Sequence, residues 1–149
     1  MADVADHKAL ITRVFAAFER GDMAPLAEAL HDDVVWRHNG QMWAFDFADQ
    51  DWIGKAAVLK ALAMLTDEYP MVGFTAEEMC GEGDALWVLV DARRRSPKGE
   101  VMHSQTAHRY RFKDGKIIAF LEILDSGEIL FKAGKLDVAA GRASASLRP

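Results

Sequence analysis

The sequence predicts an α+β fold: three N-terminal helices packed on a strongly curved antiparallel sheet, together forming a cone-shaped barrel. Two observations carry this. Residues 85–124 hold three runs rich in Val, Ile, Trp, Phe and Tyr, separated by the turn signals Ser96-Pro97-Lys98-Gly99 and Lys113-Asp114-Gly115-Lys116, the mark of an antiparallel meander. Ahead of the meander lie segments with helical periodicity, and runs of helices beside runs of strands define an α+β layer arrangement. Long strands twist, so the sheet curls and encloses a pocket.

The elements follow in order. His7, Leu10, Ile11, Val14, Phe15 and Phe18 recur at helical spacing and predict a first helix over residues 4–20, stopped by Gly21. Asp22 is placed to cap a second, shorter helix with Pro25 in its first turn and Leu26, Ala29 and Leu30 on its apolar side. Residues 34–39 form a short strand with Val34, Trp36 and His38 on one face. The connection 40–52 is long and aromatic, with Trp43, Phe45, Phe47 and Trp52, and serves either as a ligand lid or as a core plug. Val58, Leu59, Leu62, Leu65 and Tyr69 mark a third helix, ended by Pro70. A strand over 72–80 turns into the meander through Gly81-Glu82-Gly83-Asp84, and an amphipathic fragment follows over 129–136. Residues 1–131 make one domain, and 132–149 form a partly disordered tail poor in large apolar residues.

Composition narrows the function. The 149 residues are 50% hydrophobic, enough for one core, and the net charge of −5 disfavours a nucleic-acid partner. The basic clusters Arg93-Arg94-Arg95 and Arg109 with Arg111 read as a solvated sheet face or hairpin end. Cys80, the only cysteine, reads as a buried inert thiol. The N-terminus lacks the apolar core of a signal peptide and no run reaches a membrane span, so a cytoplasmic protein with no membrane partner is expected.

Polar residues within the strands point to chemistry. Alternation puts Ser104, Thr106, His108, Tyr110 and Phe112 on one face of the middle meander strand, and Phe120, Glu122 and Leu124 on one face of the last. In the first meander strand Trp87, Leu89 and Asp91 share a face, taken as the inner one. Ionisable groups on a concave apolar face are expensive without partners, which marks a ligand cavity. The outer face is then expected to carry Val88 and Val90 beside Gln105 and Ala107 and to form a homodimer contact.

Three stretches, FAAFERGDMAPLAEALHDDVVW, WIGKAAVLKAL and HRYRFKDGKIIAFLEILD, make residues 5–131 resemble the nuclear transport factor 2-like or SnoaL-like superfamily. That superfamily includes ketosteroid isomerases, polyketide cyclases, scytalone dehydratase and limonene epoxide hydrolase. The resemblance implies the cone fold and does not name a reaction. By resemblance to ketosteroid isomerases, the base falls at His38 and the oxyanion-hole acid at His108, while their helix tyrosine falls at Val14 and is missing. By resemblance to limonene epoxide hydrolase, the carboxylates fall at Asp91 and Glu122, but its arginine falls at Leu89. The polar residues of scytalone dehydratase look like His103, Ser104 and Thr106.

These readings converge on His38, Glu122, His108 and Asp91 as catalytic residues, with Trp36, Trp43, Trp52, Ser104, Thr106 and Phe120 binding substrate. The expected chemistry is proton transfer on a small, mostly apolar carbonyl or hydroxyl compound, with His38 as base, Glu122 orienting an imidazole or serving as the base itself if burial raises its pKa, and His108, Ser104 or Thr106 donating to the substrate oxygen. Such chemistry requires no metal and no organic cofactor. Water activation by Asp91 and Glu122, or a non-catalytic binding module, are the alternatives.

Overall fold

The computed structural model describes residues 2–39, 45 and 50–136. Helix α1, Val4–Glu19, begins with a capping box in which the Asp3 carboxylate accepts from the backbone N–H of Ala5 and Asp6, and Asp6 accepts from that of Asp3. It ends just before Gly21, whose φ of 77° suits a residue without Cβ. Helix α2, Ala24–Ala29, is short, and the Asp22 carboxylate takes the Ala24 N–H at its start. Strand β1, Leu30–His38, runs longer than predicted because the polar His31-Asp32-Asp33 segment continues the extended backbone.

Phe45 and the two-residue strand β2, Trp52–Ile53, are described within the 40–52 connection. Gly54, at φ 90°, then starts helix α3, Lys55–Glu68. Strands β3 (Met71–Glu82), β4 (Ala85–Arg95), β5 (Val101–Lys113) and β6 (Lys116–Ile123) form the meander, and helix α4, Ser126–Lys132, is capped by the Asp125 carboxylate. Thus α4 begins before the predicted amphipathic fragment. Residues 137–149 lie outside the described residues.

The strands form one six-stranded sheet in the order β2-β1-β6-β5-β4-β3, which curls without closing. Its pairs are antiparallel except β1 with β6, which run parallel. That parallel pair is possible because α3 and the first three meander strands intervene, and parallel neighbours need a long crossover. Helix α1 packs on β3 and β4, and α3 packs on β1 and β2. Ile11, Leu30, Val34, Trp36, Val58, Leu86, Val90 and Ile117 are fully buried between these layers.

Two expectations are corrected. The inner face of β4 carries Leu86, Val88, Val90, Ala92 and Arg94, not Trp87, Leu89 and Asp91. Register decides this, because Val88 lies directly opposite the buried His108 and paired residues share a face. Val88 and Val90 therefore leave the outer face, which instead carries Trp87, Leu89, Gln105 and Ala107. Cys80 is exposed rather than buried.

Candidate active site

The sheet register aligns the site. His38 on β1 pairs with Glu122 on β6, Glu122 pairs with His108 on β5, and His108 pairs with Val88 on β4. One cross-strand row therefore sets a carboxylate between two imidazoles. The next row, Trp36, Phe120, Tyr110 and Leu86, is aromatic and aliphatic. In it Trp36 stacks on Phe120 at 5.3 Å and Phe120 on Tyr110 at 5.9 Å between ring centroids.

Glu122 is the centre of the polar network. Nε2 of His38 lies 3.0 Å from Oε2 of Glu122, and Nε2 of His108 lies 3.7 Å from Oε1. Both histidine side chains are 4% exposed and that of Glu122 is 17% exposed. Burial pushes the Glu122 carboxyl upward. The charge of His108, the hydrogen bond and charge of His38, and the charge of Arg94 more than offset this and hold it at about 2. Glu122 is thus a carboxylate at neutral pH and a weak proton acceptor.

With a ring proton on Nε2, facing the Glu122 carboxylate, the corresponding tautomer of His38 carries its lone pair on Nδ1. Nδ1 is buried and has no hydrogen-bond partner among the described residues. Trp36 braces the ring from 4.7 Å.

His108 is differently placed. Its Nδ1 is 3.0 Å from the Tyr110 hydroxyl and its Nε2 is 3.0 Å from Thr106 Oγ1. Burial pushes the His108 imidazole below its ordinary value, and burial also pushes the Tyr110 phenol well above its own. A protonated Tyr110 can donate to Nδ1, and the nearby carboxylate favours a proton on Nε2, directed to Thr106. The Thr106 hydroxyl is then free to donate into the cavity. His108 therefore has both nitrogens engaged and is not a free donor.

Between α3, α4 and the sheet lies a cavity of about 90 Å³, lined among the described residues by His38, Phe45, Leu65, Tyr69, Phe74, Arg94, Ser104, Thr106, His108, Glu122 and Lys132, with others. One water needs roughly 10–15 Å³, so this space admits a small ligand fragment rather than a single water. A smaller apolar chamber of about 40 Å³ lies behind it against α1 and α2, lined by Phe15, Phe18, Tyr110 and Phe120, and it shares Phe74, His108 and Glu122 with the first. The polar row thus stands where the two spaces meet.

The structure sorts the predicted site residues. His38, Glu122, His108, Ser104 and Thr106 come together at the cavity, and Phe120 lines the inner chamber. Trp36 supports His38 from behind, and Trp52 pairs with Trp36 across β2 and β1. Trp43 lies outside the described residues. Asp91 faces away: it binds Nε2 of His103 at 2.5 Å and Nε of Arg93 at 2.9 Å. Its carboxyl is held below the ordinary value chiefly by the Arg93 hydrogen bond. The Asp91–Glu122 pair needed for two-carboxylate water activation therefore does not form.

Arg94, Tyr110 and Lys132 were missed as site residues. Arg94 was hidden inside an exposed-looking Arg93-Arg94-Arg95 cluster, though its parity with Val88, Val90 and Ala92 carries the signal. Lys132 donates to the His103 carbonyl and pairs with Glu128 at 2.6 Å. Among the described residues no group of three or more His, Cys, Asp or Glu side chains is arranged to hold a metal ion, and no helix is long and apolar enough to cross a membrane.

A curled sheet over helices, with polar groups set into its inner wall, defines a cone of the nuclear transport factor 2-like class. The family model of the SnoaL-like domain matches residues 11–120, and the chain belongs to that family. Among solved structures, an NTF2-like protein of unknown function from Burkholderia pseudomallei is similar at 21% identity and TM-score 0.78, over 88% of this chain and 97% of that one. TerC, crystallised with polyporic acid, is similar at 21% identity and TM-score 0.79, over 87% and 98%. A protein named as an isomerase from Rhodopseudomonas palustris is similar at 20% identity and TM-score 0.74, over 85% and 97%. These likenesses establish the fold. No curated protein matches the chain.

Proposed function

We propose that this SnoaL-like domain catalyses cofactor-independent proton transfer, of the isomerase, cyclase or dehydratase type, on a small, mostly apolar carbonyl or hydroxyl compound held in the cone. The observation that carries the proposal is the His38–Glu122 contact of 3.0 Å in the wall of a largely apolar cavity. A carboxylate that accepts from one imidazole nitrogen fixes the tautomer and makes the other a better base. The His38 imidazole takes a proton from carbon next to the carbonyl, and Glu122 stabilises the imidazolium that forms. The developing oxyanion receives hydrogen bonds from the Thr106 hydroxyl, aligned by His108 and Tyr110, and from Ser104. Returning the proton to another carbon isomerises the substrate; loss of a hydroxide equivalent, protonated to water, dehydrates it. Phe45, Phe74 and Phe120 keep the reacting atoms in an apolar setting, which strengthens these interactions. The likeness to a protein named as an isomerase supports the reaction class by analogy alone.

The test is a panel of apolar ketones, lactones and epoxides in deuterated buffer, followed by NMR, on wild type, His38→Ala and Glu122→Gln. Wild type should exchange or convert a ketone, with both variants strongly impaired. Variants as active as wild type overturn the role assignment. A ketone that binds in the cavity without exchange or turnover makes the domain a binding module.

A further inference from the structure

Arg94 is set into the cavity wall, and among the described residues no carboxylate forms an ion pair with it. It occupies the inner face of β4, opposite Met102 and in line with Val88, Val90 and Ala92. Its neighbours in sequence are satisfied outside the cavity: Arg93 pairs with Asp91 at 2.9 Å, and Arg95 donates to the Gly99 carbonyl at 2.9 Å. Of Arg94's own N–H groups, only Nη1 has a hydrogen-bond partner among the described residues, the Tyr69 carbonyl at 2.9 Å. The guanidinium also lies 5.9 Å from the centre of the Phe18 ring. Burial pushes it down to about 10, so it remains a cation at neutral pH.

Among the described residues, the other charges at the cavity answer it only in part. Glu122 is close enough for its charge and that of Arg94 to act on each other, but Glu122 is engaged by His38 at 3.0 Å. Lys132 has Glu128 and a carbonyl. Partly buried in the wall, Arg94 keeps most of its planar donor fork open toward the cavity. A planar anionic group on the ligand supplies the missing acceptors, and a carboxylate matches the fork with two parallel hydrogen bonds.

We propose that Arg94 recognises a carboxylate on the ligand, so that the substrate class is an apolar carboxylic acid held by its anionic end while its reacting carbon faces His38. This rests on the cavity reading above and names the substrate class of that site. The two can fail separately, because recognition is read by binding and catalysis by turnover.

The experiment titrates two acid–amide pairs, 3-phenylpropionate with 3-phenylpropionamide and 1-naphthylacetate with 1-naphthylacetamide, into wild type, Arg94→Met, Arg94→Gln and His38→Ala by calorimetry. Circular dichroism and thermal melting confirm that each variant is folded. Wild type should bind each acid about tenfold or more tighter than its amide, as expected for a hydrogen bond between charged groups. Both Arg94 variants should lose the preference, and Arg94→Gln gives the result if the methionine variant fails to fold. His38→Ala should keep it. Acids and amides that bind alike, no binding by any probe, a preference that survives at Arg94→Gln, or one lost in His38→Ala overturns the proposal. Loss of turnover in His38→Ala with the preference intact supports both readings. An intact preference with turnover unchanged in His38→Ala overturns only the catalytic one.

Discussion

Nε2 of His38 meets Oε2 of Glu122 at 3.0 Å because β1 runs parallel to β6 with the two residues in register. The contact joins residues 84 positions apart in the chain, and each reaches it as the inward member of its own strand. Removing either partner should therefore disturb the other.

His38→Ala should lower turnover of a substrate found in the panel by about 10²–10⁴-fold, the usual contribution of a positioned base. Glu122→Gln leaves the imidazole present but takes away its anionic acceptor, and should lower turnover by at least about tenfold. Steady-state kinetics on the two variants checks this. Equal kcat in wild type and Glu122→Gln would show that the carboxylate does not act on His38.

Acid should destabilise the fold in two windows, with the same sign. His108 has its folded value depressed below 6.5, so the unfolded chain binds the proton first and stability falls as pH drops below that value. Glu122 has its folded value depressed from 4.5 to about 2, so its contribution is complete above about 4.5 and lost as pH falls toward about 2. Urea melts at pH 7, 5.5, 4 and 3 on wild type and Glu122→Gln should show the lower window flattened in the variant. Parallel curves for the two proteins would contradict the assignment.

Asp91→Asn should leave turnover unchanged, because the carboxylate faces away from the cavity. Its stability cost should stay within about 1 kcal/mol, as for most surface ion pairs. A large fall in turnover, measured on the same substrate, would return Asp91 to the catalytic set.

The face assignment of β4 can be read from two leucines. Leu86 is fully buried and Leu89 only partly. Leu86→Ala should cost about 2–5 kcal/mol by denaturant melting, and Leu89→Ala clearly less. Equal costs would contradict the register described for this strand.

The homodimer expected through the outer sheet face would now involve Trp87, 38% exposed, with Leu89 and Ala107. Sedimentation at micromolar concentration should show a dimer that Trp87→Glu dissociates. A monomeric wild type removes this expectation.

Much of this protein is legible along the chain. The helical stripe from His7 to Phe18, Gly21 as a stop, Pro70 after the third helix and the two meander turns are local signals, and each marks an element close to where the structure has it. On β1 and β5 the inward positions of Trp36, His38, Thr106 and His108 were readable as well, because they share a parity with the large apolar residues Val34, Tyr110 and Phe112. On β4 they were not. The run ALWVLV is apolar at both parities, so alternation gave no preferred face, and only pairing with β5 put Val88 inside and Asp91 outside. The same pairing turned Arg94 inward from a cluster that looked wholly solvated. Sequence alone thus determined the elements, the cone and the set of polar residues able to line it, because those depend on local periodicity and turn chemistry. Tertiary structure decided which of them meet, because register between strands distant in sequence sets the His38–Glu122–His108 row and leaves Asp91 on the far side of the sheet.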